Sequence, residues 1–177
     1  MYSDKLVLKG RYDVVCLDSE GNVKWSDVAH NQTTNQGKNG MLNGYLGAGA
    51  VPASWYCSLI TASSISLTSV YSAINSTSPA TCVTEVGTGV IAARKLMTWA
   101  AAGTPTAGAI ASNTVSFAIT GAATVIGNMV VSGGTGITNL GDVAAASGVL
   151  LSAGSFTGGP KTVGNGDTLN VSYSLSM

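Results

Sequence analysis

The run NGDTLNVSYSLSM, from Asn165 to Met177, sets Leu169, Val171, Tyr173, Leu175 and Met177 on one parity and Asn170, Ser172, Ser174 and Ser176 on the other. A period of two is that of a β-strand with one buried face. The signature recurs along the chain. Leu6 to Leu17 reads as a long strand, DSEGN (Asp18 to Asn22) as a turn, and Val23 to Trp25 as the return strand of a hairpin. Ser54 to Ile60 is a short apolar run, and Arg94 to Trp99 places Lys95, Met97 and Trp99 on one parity. Asn113 to Thr120 puts Val115, Phe117 and Ile119 on one face, Thr124 to Ser132 is apolar on both faces apart from Gly127 and Asn128, and Ser147 to Phe156 follows. About eight strands with turn-rich connections predict an all-β fold, a single domain spanning residues 1–177 built as a sandwich or barrel. Asn35 to Gly47 is the one stretch with helical spacing, and its glycines weaken it, so at most one short helix is expected. Thr61 to Thr84 reads as a long loop holding no more than an edge strand or a turn of helix. Neither a linker nor an internal repeat divides the chain.

Charge changes this picture most. Charged residues make up 9% of the chain, where about 25% is usual. Lys5, Lys9, Arg11, Lys24, Lys38, Asp4, Asp13, Asp18, Glu20 and Asp27 crowd into residues 1–38, whereas residues 39–84 and 96–141 carry none. Basic and acidic residues balance, so no pull toward nucleic acid or an anionic membrane is expected. A neutral chain with two long uncharged stretches is suited to having its surface covered, which predicts a homo-oligomer. Ser, Thr, Asn, Gly and the prolines Pro52, Pro79 and Pro105 interrupt those stretches, so none reaches the roughly 18–20 apolar residues of a membrane span. The opening MYSDKLVLKGRYD has neither an apolar core nor a small-residue cleavage site, so no signal peptide is expected. Cys16, Cys57 and Cys82 are odd in number and widely spaced, which fits buried thiols in a reducing cytoplasm.

Candidate chemistry is sparse. His30 is the single histidine, and Asp27 three residues before it supplies no nucleophile or pocket of its own. GTGVIA (Gly87 to Ala92) matches a dinucleotide fingerprint, but the acid needed about 20 residues on is missing. GSFTGGPKT (Gly154 to Thr162) approaches a phosphate-binding loop, yet Pro160 displaces Lys161 and removes an amide donor. No pair of carboxylates is marked for glycosidic chemistry. Trp25, Trp55, Trp99, Phe117 and Phe156 could form a sugar platform, but their apolar strand contexts favour core packing. The residues predict no catalytic, metal-binding or cofactor-binding site, hence a structural protein rather than an enzyme.

The order VVCLDSEGNVKWSD, NQGKNGMLNGYL, WYCSLI, ASNTVSFAIT and GVLLSAGSFTGGPKTVGNGDTLNVSYSLS resembles a family of small β-rich virion proteins of tailed bacteriophages, with the weakest likeness from Thr61 to Val90. The resemblance implies a capsid decoration (cement) protein on the outer head surface, a class commonly built as a jelly-roll-like β-sandwich and often a homotrimer. Its partners would be the major capsid protein and further copies of itself, and it would be made in the host cytoplasm. A tail or fibre component binding a host-surface glycan is the alternative. A cement protein gains from multivalent docking on a repeated lattice and needs surfaces that desolvate cheaply. The Ser/Asn face of the last strand is expected to be covered by a neighbour. Met1 to Lys9 is expected to contact a partner as an N-terminal arm, in which Lys5, Leu6, Val7, Leu8 and Lys9 would pair with a sheet edge and fix register by charge.

Overall fold

The computed structural model describes residues 7–47, 49, 52, 54–75, 83–100, 108–133, 140 and 148–176. Alternation fixes the first strand, β1 (Lys9–Leu17): Gly10, Tyr12, Val14 and Cys16 are buried, while Lys9 and Arg11 are exposed. The chain reverses at a turn where the Asp18 carboxylate accepts the amides of Glu20 and Asn22 and Gly21 takes φ 87°. It returns as β2 (Val23–Thr33), well beyond the short strand expected to end at Trp25. On its other side β1 pairs antiparallel over its whole length with β12 (Thr168–Ser176), from Lys9↔Ser176 to Leu17↔Thr168. Tyr12 therefore stands opposite Tyr173, with ring centroids 4.6 Å apart.

The far end of β2 leaves β1, and Gln32 and Thr33 pair instead with β10 (Val149–Ser155). From there the sheet continues through β9 (Gly127–Ser132) to β3 (Trp55–Ser63), which β4 (Val83–Glu85) and β5 (Lys95–Met97) flank. At the opposite end, β12 pairs with β6 (Ala109–Ala111) and β7 (Val115–Ala118). The two ends meet. Trp99 bridges to Ser112, the Ala100 amide donates to the Ala111 carbonyl, and the Asn113 amide to the Thr98 carbonyl. The result is one antiparallel sheet curled so that its halves face each other across the core. A separate ribbon of β8 (Ala123–Val125) and β11 (Lys161–Val163) completes the strands.

Twelve described strands exceed the eight expected. The additions are three-residue strands, and the apolar run from Thr124 divides into β8 and β9 at Ile126, whose amide donates to the Ile60 carbonyl. Inside the curl lie Tyr12, Val14, Leu59, Phe117, Val130, Leu151, Leu169, Val171 and Tyr173. A second cluster of Ile60, Tyr71, Ile74, Met129, Val131 and Leu150 packs on the outer side of β3, β9 and β10. Its cover includes a single 3-10 turn, Tyr71–Ala73, in the segment expected to be loop. Both faces of β9 are thus buried, which accounts for its unbroken apolar pattern.

The expected helix forms as α1 (Asn35–Leu46). Thr34 caps it: its hydroxyl accepts the Gly37 amide at 3.0 Å and donates to the Leu150 carbonyl. A Cβ on Gly37 would lie 2.7 Å from the Leu151 carbonyl oxygen, so a residue type that weakens the isolated helix lets this one approach β10. Phe117 is fully buried as expected. Trp25, Trp55 and Trp99 are only half-buried, each resting one side on the core. Trp25 meets Phe156 at 5.7 Å and donates its indole N–H to the Thr162 carbonyl, while Trp55 and Trp99 line a surface groove.

Candidate interaction surfaces

Of the proposed N-terminal arm, Lys5 and Leu6 lie outside the described residues. Val7 is exposed, and Leu8 packs partly against the core. Lys9 already belongs to the chain's own sheet as the partner of Ser176, and from Gly10 onward β1 has a neighbour on each side. Of the described arm residues, only Val7 and Leu8 precede the sheet.

The residues weighed for chemistry do not converge. Asp27 and His30 are three apart on β2, so strand alternation turns them to opposite faces. Asp27 accepts Lys161 Nζ at 3.0 Å and the Gly158 amide at 3.1 Å. Burial pushes its pKa up, but these donors outweigh it and hold the carboxyl below the ordinary range. His30 is exposed opposite Arg11. The stretch from Gly87 forms a turn, with the Val90 amide donating to the Gly87 carbonyl, and opens no helix. Gly154 to Thr162 carries the chain from β10 into β11 with Gly159 at φ 78°, and its lysine is committed to Asp27. Burial raises the Cys16 thiol to about 11, with Asp167 adding to the effect, and raises Cys57 further. Neither has the lowered pKa of a nucleophilic cysteine. Among the described residues no group of three His, Cys, Asp or Glu side chains is placed to hold a metal.

Two buried polar groupings escaped the sequence reading. Arg94 and Glu85 form a two-pronged ion pair, Nε to Oε1 at 2.8 Å and Nη2 to Oε2 at 2.9 Å, with neither side chain exposed. Ser58 donates to Glu85 at 2.5 Å, and Arg94 Nη1 donates to the Tyr71 hydroxyl at 3.1 Å. In the core, Tyr12 shares a 2.7 Å hydrogen bond with Ser152, and Asn31 Nδ2 donates to the Tyr173 hydroxyl at 2.7 Å. Burial raises the pKa of both tyrosines, so they stay neutral. These groups fix packing.

The surface is more informative. On the outer face of the curl, Asn170, Ser172, Ser174 and Ser176 of β12 are half-buried between β1 on one side and β6 and β7 on the other. Ser116 donates to Asn170 at 2.5 Å. Next to this row, Arg11 and Asp13 pair with each other at 2.5 Å, bordering a broad, shallow depression of about 520 Å³ that extends to Ser26, Val28 and His30. The β12 row itself carries no charge, and beside it Arg11 and Asp13 neutralise each other.

A second surface lies where α1 passes the end of the core. Met41, Tyr45, Trp55, Trp99, Ile110 and Leu175 line a groove of about 250 Å³ without a charged side chain. Beside it, Leu42, Tyr45 and Leu46 form one stripe of α1 at helical spacing, exposed by 52%, 88% and 86%. No helix among the described residues is long and apolar enough to cross a membrane. Comparison with known proteins finds no matching family model, curated protein or solved structure.

Proposed function

We propose that this chain is a structural virion protein of a tailed bacteriophage, a head decoration protein that bridges and stabilises major capsid subunits as a homo-oligomer. The reading rests on the sequence resemblance and on the surface chemistry. The observation that carries it is the outward row of hydroxyl and amide side chains on β12, set in a sheet whose two ends are bonded together. Such a face is already shaped and desolvates at low cost. A lattice repeating the contact many times needs little affinity from each site. The reading includes no enzymatic role: the carboxylates of Asp13, Asp27, Glu85 and Asp167 each face a cation, and the free thiols of Cys16 and Cys57 are buried.

A tail or fibre protein gripping a host-surface glycan is the second reading, favoured by the aromatic walls that Tyr45, Trp55 and Trp99 give the groove. A sugar site also needs convergent polar side chains, and the groove has few. Counting copies per particle by quantitative mass spectrometry tests both. Head decoration predicts hundreds of copies, a few dozen or fewer would favour the tail, and absence from purified particles would refute both readings.

A further inference from the structure

We infer that the α1 stripe and the groove beside it form the surface through which copies of this chain bind one another. The inference refines the homo-oligomer of the proposed function and rests on that oligomer, not on capsid binding. It begins with an asymmetry of charge. The stripe (Leu42, Tyr45, Leu46) and the groove walls Trp55, Trp99 and Ile110 all come from residues 39–84 and 96–141, the two stretches with no charged residue. The apolar patch therefore has no ion of its own chain at its centre to desolvate on contact.

Its size is also adequate. Tyr45 presents most of the about 150–250 Å² of an aromatic side chain. Leu42, Leu46 and Ile110, the last 39% exposed, bring the patch to several hundred Å², at the upper end of the roughly 300–600 Å² seen as the largest patch on monomers. With an equal share from a second copy, the contact reaches the order of 1,000 Å², the scale of a specific interface.

The shape selects a copy of the same chain over other occupants. Protruding aliphatic side chains and an apolar recess adjoin one another, so each molecule carries both the knob and the hole. Leu46 of one copy fills the groove of the next, and a closed ring or a two-fold pair satisfies every member. A membrane surface would call for several cations beside the patch, whereas α1 carries one, Lys38, a turn before Leu42, and a glycan would call for polar groups in the recess.

The test is the solution mass of the purified full chain by size-exclusion chromatography with light scattering at micromolar concentration. The wild type is expected at two or more times 17.7 kDa. Leu46→Glu on the knob and Ile110→Glu on the hole should each shift it to monomer or weaken association at least about tenfold, with the far-ultraviolet circular dichroism of the wild type. Val23→Glu, at a residue 65% exposed in the β1–β2 hairpin, should leave the mass unchanged. Should either glutamate variant misfold, Leu46→Ser and Ile110→Ser replace them with smaller perturbations. A monomeric wild type would overturn the inference, and so would an oligomer that persists in folded knob and hole variants. A wild-type monomer that still decorates heads would sink this interface while leaving the virion role intact. Saturable wild-type binding to lipid vesicles, with no self-association, would replace the second copy with a membrane.

Discussion

Glu85→Gln should be among the most damaging conservative substitutions in this protein, although it removes no atom of bulk. Glu85 and Arg94 bury both charges completely, and the guanidinium meets the carboxylate through two bonds at 2.8 and 2.9 Å. A buried ion pair is a weak source of net stability, because desolvating both ions offsets much of their attraction. Breaking one is different, since the remaining ion loses its counter-charge where water cannot reach it, at about 3–5 kcal/mol. In a chain of this length each kcal/mol moves the melting midpoint by about 2–4 °C, so a fall of roughly 6–20 °C is expected. The double variant Glu85→Leu/Arg94→Met removes both charges. It should recover part of the loss but not all, because the hydroxyls of Ser58 and Tyr71 each lose a partner at about 1–3 kcal/mol. Urea titrations followed by circular dichroism, fitted with a common slope, would measure both effects. A Glu85→Gln protein within 1 kcal/mol of wild type, or a double variant no more stable than the single, would refute the reasoning.

Two further outcomes follow from the packing and the charges. Gly127→Ala should prevent stable folding, because its Cβ would land on the Gly154 carbonyl oxygen, main chain of β10 that cannot swing aside as a side chain can; a native-like circular dichroism spectrum and melt would contradict the register of β9 on β10. Asp27 and Asp167 both have lowered folded-state pKa values, Asp167 chiefly through its 2.8 Å bond from Lys24. Their contribution is therefore present above the unfolded carboxyl value of about 3.9 and is lost as pH falls through the folded values. Thermal midpoints should drop below about pH 4, and Asp27→Asn/Asp167→Asn should flatten that drop; an unchanged slope would exclude these two as its source.

Period-two patterning made the longest strands legible. In β1 and β12, one face meets the core and the other does not, so Tyr12, Val14, Val171 and Tyr173 announce their orientation in the sequence. Strands of three residues, such as β4 and β6, are too short for any period to show, and pairing with a neighbour defines them. Strand order was also out of reach, since β2 pairing β10 and Trp99 bridging Ser112 join segments whose sequences carry no mark of each other. Tryptophan burial was overestimated because an apolar context does not distinguish the core from the wall of a groove. The Glu85–Arg94 pair had one usable signal: a lone acid, Glu85, close in sequence to the cations Arg94 and Lys95 between long uncharged stretches. The exposure of Leu42, Tyr45 and Leu46 on α1 was hidden because Gly37, and not a large apolar side chain, makes the close contact with the sheet.

The pairing of β1 with β12 carries a consequence for synthesis. Tyr12 leaves the ribosome first, and its ring partner Tyr173 follows roughly 160 residues later. At about 5–20 residues per second, β1 waits on the order of ten to thirty seconds for the strand that covers its second edge. Only the β1–β2 hairpin and the elements it can recruit locally are available meanwhile, with Tyr12 and Val14 uncovered on one side. Closure is therefore a late event, and contacts of such long range fold slowly. Throughout that interval the edge of β1 is open to any passing strand, including the β12 of a neighbouring chain. Expression at lower temperature or with a holdase chaperone should therefore raise the yield of native protein more than it raises the yield of total protein.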